Sequence, residues 1–490
     1  MPVRLSNAAL RNLSNGVVVP RYDRSRLTPG IVHIGLGNFH RAHQAWYLHR
    51  LMQQGCAFDW AIIGAGVRAY DKVQRRKLAA QDYLTTLIEL DPAGTSAEIV
   101  GSIIGYLPVE EGHGPLINQM ADPAIRIVEL TVTEGGYFID PVTKGFDASN
   151  AEIRLDAECP DRPRTAFGAI VAALRLRRNA GSGPLTLQSC DNLQGNGSIL
   201  RQTVDSLARL SDPELADWIN AECTFPNSMV DRIVPMTSAK ELELVHEIGI
   251  DDAAPVTHEK FCQWVIEDNF CAGRPEWDKV GVTFSNRVHD YETMKVRILN
   301  GGHQVISNPG EILSVATIAD CMAHPLIGPL FRKVAREEIV PHVNPVPCTS
   351  PETYVDLIDR RFSNPKIVDT TRRVAADGSA RHTVFVLPAL REALANSTSF
   401  EGLALAEALW ARMCAGTRED GSAIEPNDPF WHQLHDVAQL ARSNPEAWLN
   451  QNQFYGDLAG NAIFAPVFAK WLRLIWESGT EVAIRAYLDA

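Results

Sequence analysis

The chain has 490 residues, 45% of them hydrophobic and 21% charged, and its 46 basic against 59 acidic residues give a formal charge of −13. That composition excludes a disordered or fibrous protein, and the length exceeds the roughly 250–300 residues at which one core stops growing, so more than one domain is expected. An acidic chain is poorly suited to gripping nucleic acid by counterion release, and no run of about 18 apolar residues is present to cross a bilayer, so neither nucleic acid nor membrane is expected as a partner. The nine cysteines are odd in number and form no C-x-x-C pair, which argues against a disulfide framework or a zinc ribbon and for a reducing compartment. Residues 1–16 lack the apolar stretch of a secretory signal. A cytoplasmic enzyme is the expectation.

In chain order, short β-branched runs at 31–34, 60–63, 85–88, 99–104, 125–132 and 185–187 alternate with helical patterns at 39–54, 115–121, 165–178 and 198–209. Such alternation predicts βαβ units and a largely parallel sheet. Beyond about residue 285, apolar spacings of three and four predict helices at 386–396, 400–415, 429–442, 461–477 and 479–489. The fold class is therefore α/β, with an N-terminal α/β domain over 1–285 and a predominantly α-helical domain over 286–490.

The first strand runs into Gly35-Leu36-Gly37 and a helix follows at once, the context a dinucleotide fingerprint requires. Gly35 permits a tight turn, Gly37 allows backbone to approach a pyrophosphate, and the helix start offers N–H groups to its charge. His40 stands where a third glycine is usual, so a ligand-free turn is the competing reading. Asp59 precedes the second strand; Asp71 follows its carboxyl end and is the better acid for an adenosine ribose, favouring NAD over NADP, although Arg68 and Lys72 flank it.

Residues 289–305 read HDYETMKVRILNGGHQV. On a helix, with Lys295 at zero, Glu292 falls at about 60°, His303 at about 80° and Asn300 at about 140°. A desolvated lysine can act as a general base, an amide can stabilise an alkoxide-like oxygen, and a histidine can position a hydroxyl. The competing reading is a solvated face ending in a cap at Gly301-Gly302. Tyr291 and Lys295 match Y-x-x-x-K by coincidence, about 255 residues after the glycine turn. Cys190 reads as a small buried side chain, His33 as a core histidine, and His40 and His43 as packing or capping groups rather than a metal pair. Glu134, before Gly135-Gly136, is expected on the nicotinamide side.

Taken jointly, GLGNFHRAHQ (35–44), TVTEGGY (131–137), SCDNLQGNG (189–197), FPNSMVDRIVP (225–235), QWVIEDNF (263–270), KVRILNGGH (295–303) and RFSNP (361–365) resemble the polyol-specific long-chain dehydrogenase family over nearly the whole chain. The resemblance implies a Rossmann-type N-terminal domain, a helical C-terminal domain, and metal-independent, NAD-dependent oxidation of a polyol to a ketose by an enzyme that is often a monomer. It implies that Gly35, Gly37, Asn38 and Phe39, with Asp71 and Glu134, serve the cofactor. Lys295 takes the place of the catalytic base, Asn192 and Asn300 of the oxyanion-stabilising amides, His303 of the substrate-positioning imidazole and Glu292 of the proton-exchange glutamate. Asp231 and Arg373 fall at substrate-side positions. Arg381 and His382 follow DGSA where mannitol-type members tend to carry lysine, and Tyr70 stands where a further acid can occur; exact substrate and strictness for NAD stay open. Hexuronate reductases share many of these stretches, and a non-catalytic NAD sensor is the alternative from another class.

Overall fold

The computed structural model describes residues 2–13, 16–140, 143 and 145–490. They form two compact units, 1–289 and 290–490. In the first, five parallel strands, β1 (Pro29–Ile34), β2 (Ala61–Ala65), β3 (Ile103–Tyr106), β4 (Ile127–Leu130) and β5 (Thr186–Ser189), make one sheet in the order β3-β2-β1-β4-β5. Ile31, Val32, Ile34, Ile62, Ile127, Val128 and Leu130 are all inaccessible, as a parallel sheet covered on both faces demands. The chain reaches β3 on one side of β1 and then crosses to β4 on the other. The carboxyl ends of β1 and β4 therefore flank the topological switch point, where sheets of this kind take their ligands.

Two expected elements divide. The predicted helix 39–54 is α1 (Asn38–Ala42) followed by α2 (Gln44–Gln53), broken where His43 leaves helical geometry at φ −126°, ψ −91°. The predicted strand 99–104 is two strands in different sheets. Gly94–Val100 pairs antiparallel with Thr85–Asp91 in a separate four-stranded sheet, whereas Ile103–Tyr106 joins the main one. Gly101 and Ser102 make the crossing, and the Ser102 hydroxyl is tied to the Ala45 carbonyl at 2.6 Å. Thr85–Asp91 is thus a strand, but not part of a βαβ unit.

The second unit is built of helices. Leu387–Asn396, Glu401–Met413, Trp431–Ala441, Phe464–Ser478 and Thr480–Leu488 lie close to the predicted spans. Phe464–Ser478 begins three residues late because Asn461 Oδ1 accepts the N–H groups of Ile463 and Phe464 and caps the start. Glu401–Met413 is buried along its length from Gly402 onward. Its first turn is closed by Glu338, whose carboxylate accepts the N–H groups of Gly402 and Leu403 at 2.8 Å and the Tyr487 hydroxyl at 2.9 Å. Among the described residues no helix is long and apolar enough to cross a membrane.

Glu338→Ala strands three donors in the interior, each costing on the order of 1–3 kcal/mol when unsatisfied. Urea unfolding of the variant should show a loss of about 3 kcal/mol; a loss below about 1 kcal/mol would show that Glu338 does not anchor these helices.

Candidate active site

Gly35 has φ +93°, and a Cβ there would run into the carbonyl oxygen of Thr131. This glycine is dictated by close approach of the two strand ends. Gly37 differs: it is exposed, and a Cβ would find only the Gly35 oxygen, at 3.8 Å. The space beside Gly37 is open at the start of α1, which no side chain caps. Asn38 commits its side chain to the fold, donating to Thr237 Oγ1 at 2.9 Å and accepting from Arg41 at 2.6 Å, so its backbone is what remains for a ligand. Phe39 stacks on His43 at 4.9 Å. The missing third glycine has a physical reason: His40 is fully buried, with its ring 3.4 Å from that of His33. Stacked imidazoles space helix from sheet where a glycine would let them touch.

Asp71 opens the helix Asp71–Ala79, past the carboxyl end of β2, and Oδ2 accepts the Arg68 N–H at 2.9 Å. Burial holds its carboxyl above the usual range, against the N–H groups of Arg68 and Val67. The Arg68 guanidinium is occupied by Glu152, at 3.0 and 3.3 Å. Asp59 lies at the opposite end of the sheet, paired with Arg126 at 2.8 Å. Glu134 is exposed in the turn Glu134–Tyr137 beyond β4. Sequence reasoning passed over the anchor of that turn, Asp191, which accepts from the N–H groups of Thr133 and Val132 at 2.8 and 3.1 Å and from the Tyr137 hydroxyl at 2.7 Å. Its neighbour Asn192 is exposed. Cys190 is buried, which pushes its thiol well up and removes it as a nucleophile. Asp231 ends a strand, Ser228–Asp231, and is buried. An open glycine-lined turn at the switch point, with an acid beyond the second strand, is what a dinucleotide with free ribose hydroxyls requires.

The second unit contributes the lysine segment. The helix does not stop at Gly301-Gly302. It runs as Val288–Met294, a π-helical stretch Lys295–Asn300, and Gly301–Ile312. Gly301 and Gly302 are packing sites, a Cβ at Gly302 falling 2.5 Å from the Phe331 ring. The π stretch corrects the α-helical wheel: i→i+5 closure brings residues five apart closer to one face than the α-helical separation of about 140°. Lys295 and Asn300 are such a pair. Both are nearly buried, at 9% exposure, and Glu292 is buried too. His303 lies flat on the Phe362 ring at 4.2 Å. Burial, reinforced by Arg373, Arg381 and Arg361 against the opposing Asp369, pushes its pKa down to about 3.

Arg373 is exposed but gripped by Asp369 through two contacts at 2.6 and 2.5 Å. Arg381 donates to the Val374 carbonyl at 2.5 Å. His382 is corrected: it is inaccessible, bonded to Glu407 at 2.7 Å and to Asn308 at 2.9 Å, and stacked on Trp410 at 4.4 Å. Both ring nitrogens serve the core, so it is not a substrate contact. Phe362 and Asp369 were missed as site residues. Phe362 falls within the RFSNP segment, which was a signal; Asp369 had none, since a surface-looking carboxylate four residues before an arginine is commonplace.

Family models match both units: a mannitol dehydrogenase Rossmann domain over residues 29–279 and a mannitol dehydrogenase C-terminal domain over 287–476. A mannitol 2-dehydrogenase of Cereibacter sphaeroides is 54% identical, covering 98% of this chain and all of the relative. The Pseudomonas fluorescens mannitol 2-dehydrogenase, solved as a ternary complex with NAD and D-mannitol, is 38% identical with a TM-score of 0.89, over 99% of this chain and 100% of that one. A D-sorbitol dehydrogenase solved in substrate-free form is 34% identical with a TM-score of 0.90, over 98% and 100%.

Two outcomes are expected. Gly35→Ala should abolish dinucleotide binding, read by NADH fluorescence, because strain and collision with Thr131 both displace the turn; unchanged binding would remove Gly35 from the site. His303 is neutral in the fold, whereas the unfolded chain takes up a proton there below about pH 6.5. The unfolded state then binds more protons, so stability falls as pH drops through that window. Wild type should lose urea stability relative to His303→Phe between pH 7.5 and 5; a constant difference would contradict the neutral imidazole.

Proposed function

The chain belongs to the mannitol dehydrogenase family, and we propose that it oxidises D-mannitol to D-fructose with NAD, without a metal, through Lys295. The observation that carries this reading is the buried lysine at the head of a π turn, paired in register with Asn300. NAD, when bound, supplies the hydride acceptor. Gly35, Gly37 and the backbone of Asn38 and Phe39 hold it, with Asp71 on the ribose hydroxyls and Glu134 beside the nicotinamide. A carboxylate at Asp71 repels a 2′-phosphate, and Arg68, committed to Glu152, does little to offset that.

Lys295 removes the hydroxyl proton as a general base. Asn300 and Asn192 donate N–H groups to the oxygen as its charge grows. His303, neutral and braced by Phe362, orients a hydroxyl. Glu292 exchanges the proton with solvent, and Asp231, Arg373 and Arg381 contact the polyol. The bidentate Asp369 pair largely neutralises Arg373, which favours a neutral polyol over a hexuronate. The same reading has the chain act in the cytoplasm, as a monomer, on one small-molecule substrate.

Lys295→Ala should lower kcat at least about 100-fold and leave NADH binding within about twofold. Wild-type turnover across the pH range would contradict the base. In a panel of mannitol, sorbitol, arabinitol and mannonate, a polyol should react best. Reaction with mannonate alone would move the assignment to hexuronate reduction, and NAD binding without turnover to a sensor.

A further inference from the structure

Beneath the glycine turn lies a fully buried trio, His33 on β1, Glu129 on β4 and His40 on α1, with donor atoms within 4.8 Å of one another. His33 and Glu129 face each other in the strand register. Hydrogen accounting fixes how the trio is wired. The Thr131 hydroxyl donates its single hydrogen to the Gly35 carbonyl at 2.7 Å, because a carbonyl can only accept. His33 Nε2, 2.8 Å from the same hydroxyl oxygen, must therefore carry a proton and donate it. His33 Nδ1 meets Glu129 Oε2 at 3.3 Å, and two bare acceptors would repel, so a second proton lies between them. Neither nitrogen of His33 then keeps a lone pair for an ion. Although burial alone would raise it, the imidazoles of His33 and His40 hold the Glu129 carboxyl down to about 2. Burial first, and then the charge at His33, push His40 down to about 3. His40 is thus a neutral ring, with Nε2 lying 3.4 Å from Glu129 Oε2.

We infer that His33, Glu129 and Thr131 are positioning residues for the dinucleotide, forming a buried relay in which Glu129 sets the protons of His33, His33 orients Thr131, and Thr131 holds the Gly35 carbonyl and hence the turn. The inference rests on the proposed NAD site and extends it to three residues that need not touch a ligand. The relay and the backbone act at one place: Thr131 N–H bonds the Ile34 carbonyl at 3.0 Å while its side chain bonds the next carbonyl along. The end of β1 is pinned on consecutive residues, and a turn fixed before binding loses less freedom when the ligand arrives.

The test compares NADH dissociation constants by fluorescence with kcat for mannitol at saturating NAD. Thr131→Val and Thr131→Ala remove the hydroxyl and should weaken NADH binding about tenfold while kcat stays within about twofold; Thr131→Ser should bind like wild type. Glu129→Leu, which leaves His33 Nδ1 without a partner, should weaken binding in the same direction. Glu129→Gln, whose amide can serve Nδ1, should recover it. Wild-type NADH affinity in both hydroxyl-free variants, or a fall in melting temperature with no change in affinity, would overturn the relay. Failure of the wild type itself to bind NADH would instead overturn the dinucleotide reading, and the inference with it.

Discussion

The close approach of Gly35 to Thr131 governs the first unit. Two parallel strands end side by side at the switch point, and the turn leaving one must pass the carbonyl of the other. Only a residue without Cβ, at positive φ, makes that passage. Everything around it serves the same constraint: stacked imidazoles space α1 from the sheet, Thr131 binds the Gly35 carbonyl, and Asp191 locks the loop that continues from Thr131. Gly37 is left open by comparison, with only the Gly35 oxygen near the place a Cβ would take.

The second unit solves a different problem. Its lysine-bearing helix contains Gly301, Gly302, Pro309 and Gly310, residues that weaken a helix in isolation. It persists because residues 304–312 are buried throughout and its glycines admit Phe331 and other close neighbours. Tertiary packing thus supports a π turn that local propensity would not select, and π turns recur at functional sites. The turn sets Lys295 and Asn300 in one register and carries both into an environment nearly closed to water.

Much of this was legible in the sequence, for identifiable reasons. The strand–turn–helix at 30–44 and the apolar spacings of the C-terminal helices are local patterns, and local patterns survive folding. The polar set Lys295, Asn300 and His303 could be named, but not its register, because the wider turn depends on contacts distant in sequence. Residues 99–104 read as one strand because Gly101 and Ser102 interrupt it only through their exchange of sheets. His382 looked available for substrate because its partner Glu407 is 25 residues away. The carboxylates that organise the sites without reaching a ligand, Asp191, Glu129 and Asp369, carry no signature in a single sequence; only their hydrogen bonds reveal them.

Whether the dinucleotide is held at the switch point can be read from backbone protection. Hydrogen–deuterium exchange of the full chain, with and without NAD, addresses it most directly. NAD alone should slow exchange across residues 35–42 and 66–72, and mannitol alone should change neither. Unaltered exchange in both segments at saturating NAD, or protection confined to other parts of the chain, would contradict the account.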